Sequence, residues 1–158
     1  MPDYGVDTDH WHPLPWSWAG ERLGRARNYW VVTVSAAGQP HAMPVWGVWD
    51  DDEHRFFFSC GPRSRKARNL ATNPRVCIAS EDTVEALSLQ GSAEVVTHTR
   101  RQEEWIGRYL AKYRPISPDL SAEFVRANLM VEVVPDLALA IIEREEEFAT
   151  RATRWRFG

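Results

Sequence analysis

Runs of apolar, β-branched and aromatic residues recur along the chain at short intervals. Segment 29–60, YWVVTVSAAGQPHAMPVWGVWDDDEHRFFFSC, contains three such runs, separated by the turn-forming stretches AAGQP and DDDEH. Runs of this length divided by short polar loops predict a meander of antiparallel strands. VCIASE (76–81) and ALSLQGSAEVVT (86–97) predict two more, the second bulged or bent at Gly91. LMVEVVPDLALAIIE and FATRATRWRF predict closing strands.

Helical spacing appears between them. SWAGERLGRARN (17–28) predicts a short helix with Ser17 as its N-cap, and RSRKARNLATN (63–73) another that ends where Asn73 meets Pro74. RRQEEWIGRYLAKY (100–113) and SPDLSAEFVRAN (117–128) complete the set, the last beginning near Ser121. The pattern therefore predicts a mainly β, α+β protein. Six or seven antiparallel strands would form a small closed or half-closed barrel, with three or four helices inserted singly.

A chain of 158 residues, 44% hydrophobic and 26% charged, suits one domain over 1–158, with residues 1–15 as an extended arm. The arm is rich in proline, yet Trp11 and the following Trp16 and Trp18 predict that it docks on the body or on a second subunit. No apolar run approaches the ~18 residues of a membrane span, and the first residues carry no leader pattern. The expectation is a cytoplasmic protein with no membrane partner. Cys60 and Cys77 form no CxxC pair, which predicts reduced thiols.

Net charge is −3 despite seventeen arginines, which argues against a nucleic-acid partner. A barrel that stacks single-stranded bases on tryptophans is accordingly the weakest of the readings. His10 and His12 form an HxH pair without a third ligand motif, so no metal site is assigned. Nucleophile elbows, Gly-rich phosphate loops and interpretable carboxylate pairs are missing as well. No catalytic side chain is assigned, and any chemistry is expected of a cofactor.

Two stretches carry the candidate site. In SCGPRSRKARNLATNPRV (59–76), a strand ends at Cys60, Gly61 and Pro62 turn the chain, and Ser64 caps the following helix. Free N–H groups at such a start, with Arg63, Arg65 and Lys66 in the same turn and Arg68 just beyond, suit a phosphate. A solvated basic face is the alternative. In HAMPVWGVWD (41–50), Pro44 cannot donate a ladder hydrogen bond, which places it on an edge, at a bulge or beside a ligand. Trp46 and Trp49 fall on opposite faces of that strand, either as a flat wall and a core residue or as two core residues.

In this order and spacing the two stretches resemble the pyridoxamine 5′-phosphate oxidase-like split-barrel superfamily, in particular its flavin- and deazaflavin-dependent oxidoreductases from actinobacteria. GQPHAMPVW followed by an aromatic strand and SRKARNLATNPRV carries the resemblance, which covers roughly residues 28–97. It implies a split barrel and a homodimer with cofactor sites at the subunit interface. It further implies that Ser64, Arg65 and Lys66, with Arg63 adjacent, hold the phosphate of FMN or of the deazaflavin F420. Ser59 and Cys60 would lie beside the ribityl chain, and Met43, Pro44, Val45 and Trp46 along the ring. Asn69 matches the family's helix asparagine, and the C-terminal Trp155 is a candidate for reaching a site, its own or the other subunit's.

The implied activity is hydride transfer between reduced F420 or FMN and a small unsaturated substrate. A non-catalytic flavin, deazaflavin or haem carrier is the alternative. Ala86 stands where true pyridoxamine phosphate oxidases have a flavin-contacting glutamine, and their C-terminal Arg-Leu-His segment is missing. Vitamin B6 oxidation is therefore not implied.

Overall fold

A computed structural model describes residues 5–158; the first four residues of the expected arm lie outside it. The strands are β1 (Asn28–Val34), β2 (Pro40–Asp50), β3 (Arg55–Cys60), β4 (Arg75–Ser80), β5 (Glu85–Val95), β6 (Leu129–Ile142) and β7 (Thr153–Arg156). They are joined in the order β3-β2-β1-β4-β5-β6-β7, and a further pairing of β3 with β6 closes six of them into an antiparallel barrel. The helices are α1 (Trp16–Arg25), α2 (Arg65–Leu70), α3 (Thr99–Tyr113), α4 (Ala122–Arg126) and α5 (Glu145–Arg151). No helix among the described residues is long and apolar enough to cross a membrane.

The uninterrupted Phe56–Phe57–Phe58 run reflects burial on both faces of β3. Phe56 and Phe58 point into the barrel among Tyr29, Val31, Ile78, Leu89, Val131 and Val133. Phe57 points outward under α3, where it stacks on Trp105 with ring centroids 5.2 Å apart. The α3 helix thus covers one flank of the barrel with a second apolar cluster that includes Val48, Tyr109, Tyr113 and Met130.

The predicted irregularity at Gly91 is present, with the β5–β6 register shifting between Gln90 and Gly91. There β6 changes neighbours, pairing with β3 as far as Val133 and with β7 from Leu137 onward. The arm docks on the last elements. Asp7 N donates to Ala149 O (2.8 Å), His12 N to Thr150 O (2.9 Å) and the Trp11 indole to Ala152 O (2.8 Å).

Three sequence expectations are corrected. Helices number five among the described residues, not three or four. The additional one is α5, which takes Phe148–Arg151 out of the predicted closing strand and leaves β7 only four residues. Three glutamates in its first turn, Glu145–Glu147, suit a helix N-terminus electrostatically. Finally, α1 begins at Trp16 behind Pro15, whose carbonyl accepts from Trp18 N at 3.1 Å, so Ser17 lies inside the helix and is not its cap.

Candidate functional site

At the end of β3 the chain turns through Gly61, Pro62 and Arg63 into α2. Ser64 N donates to Gly61 O at 2.9 Å, and Ser64 Oγ accepts from Ala67 N at 3.2 Å, the predicted cap. Ala67 and Asn69 are the buried residues of the six-residue helix, which leaves Arg63, Arg65 and Arg68 exposed and Lys66 half-buried. Arg68 braces the turn by donating to Arg63 O at 2.6 Å. Among the described residues none of these four cations has an ion-pair partner, although Arg22, Arg75, Arg101, Arg108, Arg126 and Arg144 all do. Four neighbouring positive charges without a carboxylate repel one another, and an anion set among them relieves that repulsion.

The neighbouring part of β2 is a free edge. From Pro40 to Trp46 it pairs with β1 alone, and β3 joins it only from Gly47. Pro44 therefore lies on a stretch whose far side meets no strand, one of the settings its missing N–H requires. Met43 stands opposite Val31, yet Met43 is 54% exposed where Val31 is fully buried. The barrel wall opens at this point. Trp46 and Trp49 do take opposite faces: Trp46 stacks on Tyr113 at 4.6 Å, and Trp49 packs edge-on to Trp16 at 5.8 Å in the barrel core.

Of the other sequence candidates, Ser59 and Cys60 end β3 on opposite faces. Cys60 is buried in the barrel, and Ser59 lies on the α3 side, near Tyr109. Asn69 is buried against β1 and β2: its Nδ2 lies 2.9 Å from Thr33 Oγ1 and 3.2 Å from His41 Nδ1. Arg65 Nη1 lies 2.8 Å from His41 Nε2. Trp155 is not brought to this turn within the chain. It packs 5.6 Å from Trp16, in an aromatic cluster with His54 and Phe157 beside the β2–β3 hairpin at the other end of the barrel.

The sequence assigns no role to Thr33 or to His41, although His41 lies close to Met43. The signal for them lies in the β1–β2 hairpin, whose turn (Ser35 N to Gln39 O, 2.9 Å) sets Thr33 opposite His41.

Helix α3 grips β2 where its free half ends. Lys112 Nζ donates to Gly47 O (3.0 Å) and to Tyr29 Oη (2.8 Å), and Tyr113 Oη accepts from Gly47 N (2.8 Å). Burial lowers the Lys112 ammonium to about 8 and raises the Tyr29 and Tyr113 hydroxyls above their ordinary range. An unfolded lysine keeps its proton to about pH 10.4. Between those values the folded state binds fewer protons, so the stability cost of burying Lys112 shrinks as pH rises. Relative to Lys112→Met, the wild-type protein is expected to gain on the order of 1 kcal/mol from pH 8 to 10, after allowance for partial solvation of the ammonium. Urea midpoints of both proteins measure it, and a difference that stays flat with pH contradicts it.

The outer face of the sheet carries an apolar groove of about 800 Å³ whose lining includes Val6, Trp11, Trp30, Ala86, Leu139 and Ile141. Its floor follows the register, in which Pro44, Trp30, Ala79, Ser88, Leu139 and Arg154 stand side by side across β2, β1, β4, β5, β6 and β7. Trp30 is 46% exposed and Leu139 36%.

A six-stranded antiparallel barrel with an opened wall and a basic turn after its third strand defines a split-barrel protein. The family model for pyridoxamine 5′-phosphate oxidase matches residues 19–134, and the chain belongs to that family. Its members commonly bind an FMN-type flavin and are often dimers.

Solved structures share the fold at low identity. The conserved hypothetical protein Rv2991 from Mycobacterium tuberculosis is 19% identical, with a TM-score of 0.71 over 88% of this chain and 90% of that one. General Stress Protein 26 from Bacillus anthracis is 14% identical, with a TM-score of 0.63 over 87% and 94%. The haem storage protein HutZ from Vibrio cholerae is 19% identical, with a TM-score of 0.61 over 75% and 88%. No curated protein matches the chain.

Proposed function

We propose that this chain is a homodimeric oxidoreductase that holds FMN or the deazaflavin F420 and transfers a hydride between the reduced cofactor and a small unsaturated organic substrate. The observation that carries the reading is the group Arg63, Arg65, Lys66 and Arg68, free of carboxylates and set beside the opening in the barrel wall. A forked guanidinium and an ammonium suit a phosphate group, and membership of a family that commonly binds an FMN-type flavin supports this cofactor class. The bound cofactor supplies the redox chemistry.

The chain's own residues bind, orient and shield. Ser64, Arg65 and Lys66 hold the phosphate, and Ser59 and Cys60 flank the ribityl chain. Met43, Pro44, Val45 and Trp46 line the ring along a free strand edge that spans about 17 Å from His41 to Trp46. Arg63 and Arg68 favour F420, whose polyglutamate tail is an anion that FMN lacks. Trp155 acts from its own end of the barrel, toward the partner subunit's site.

The exposed row from Pro44 through Trp30 to Leu139 is the face a second copy covers, because it runs without a break from the free edge of β2. Ala86, at the position of the oxidases' flavin-contacting glutamine, lies in that same groove. A non-catalytic carrier is the second reading, favoured by the shared fold of the haem storage protein.

Titrating the purified protein with FMN, F420 and haem, then following reoxidation of the reduced cofactor with unsaturated substrates, tests both readings. FMN or F420 is expected to bind at one site per subunit and to be reoxidised. Tight haem binding with no response to either flavin-type cofactor sinks the oxidoreductase reading.

A further inference from the structure

We infer that His41 is a positioning residue of the anion site: it holds Arg65 while the site is free and releases it, by taking up a proton, when a phosphate group arrives. The inference rests on the phosphate reading above and adds to it a residue and a coupled proton.

The geometry dictates the protonation state. A guanidinium has no acceptor, so at 2.8 Å from Arg65 Nη1 the His41 Nε2 atom must accept. The imidazole is therefore neutral, with its proton on Nδ1. That N–H faces the Asn69 side-chain amide, whose nitrogen position lies 3.2 Å away and also 2.9 Å from Thr33 Oγ1. A half-turn of the amide places Oδ1 there, where it accepts from both His41 Nδ1–H and the Thr33 hydroxyl. Thr33, Asn69, His41 and Arg65 then form a relay in which the Thr33 hydroxyl, His41 Nδ1–H and one Arg65 N–H each meet an acceptor.

Protonation breaks this relay at one bond. An imidazolium has no lone pair for Arg65, and two cations at that distance repel. The charged group that faces His41 from α2 is Arg65, and the residue facing it from β1 is the uncharged Thr33. No carboxylate among the described residues pairs with His41. A bound phosphate is consequently the anion that stabilises the imidazolium, and it gives Arg65 a better acceptor than the imidazole nitrogen. Binding and proton uptake from solvent are coupled.

The test compares the wild-type protein with His41→Gln, which keeps an acceptor for Arg65 but cannot become cationic. FMN affinity is measured by fluorescence quenching from pH 8 to pH 5.5, the range in which histidine side chains titrate. The FMN phosphate itself titrates near pH 6, so the readout is the ratio of the two dissociation constants. That ratio is expected to grow about tenfold in favour of the wild type as pH falls, because only the wild type takes up a proton on binding. Riboflavin, which has no phosphate, should show no such growth.

In the wild-type protein alone, the His41 imidazole resonances are expected to titrate at higher pH with FMN bound than with riboflavin. A ratio flat with pH, or identical His41 titration with both ligands, overturns the latch and leaves the cofactor reading standing. Failure of the wild type to bind FMN or F420 at any pH overturns both.

Discussion

Replacing Arg65 and Lys66 together by alanine is expected to weaken FMN binding by roughly a hundredfold to ten-thousandfold, from two lost charge-assisted contacts of about 1.5–3 kcal/mol each. Thermal stability should stay close to that of the wild type. Arg65 is exposed, Lys66 is half-buried, and neither forms an ion pair among the described residues, so little in the free protein depends on them. Riboflavin affinity should change far less than FMN affinity. Equal losses for the two ligands would mean that the turn supports the ring pocket and does not bind the phosphate.

The second large effect is on stability. A Cβ added at Gly91 would press on the Val134 carbonyl oxygen and lie 2.7 Å from Pro135 Cα. Both are backbone atoms, which cannot step aside as a flexible side chain can. Gly91→Ala is therefore expected to destabilise by about 3 kcal/mol, which lowers the melting temperature by roughly 6–12 °C. Gly107, inside α3, has no neighbour within 4 Å of the added carbon. Gly107→Ala is expected to stabilise by roughly 0.5–1 kcal/mol through helix propensity. Calorimetry on the two variants checks both signs, and similar melting temperatures would show that the bulge accommodates a side chain.

Local features were legible in the sequence. The Ser64 cap, the bulge at Gly91 and the opposed faces of Trp46 and Trp49 each follow from residues within a few positions of one another. The α5 helix was hidden because Phe148, Thr150 and Thr153 read as strand formers, while the glutamates that favour its start lie just before the stretch taken as a strand. The position of Trp155 depends on β7 pairing with β6 and on α1 packing at the same end of the barrel. Neither contact has a signature in the residues near Trp155. His41 could not be assigned because its part depends on strand register and on a helix 24 residues further along folding back onto it.

The free half of β2 has a consequence for solubility. Unpaired strand edges are templates on which other chains can add strands and begin aggregation. Here Pro40 and Pro44 each remove a donor from the stretch that lacks a second neighbour, while at the opposite end of the sheet β7 is short and carries Arg154 and Arg156. The opening that leaves room for a ligand is thus a poor seed for runaway strand addition, and a barrel wall can stay open in solution without recruiting the wrong occupant.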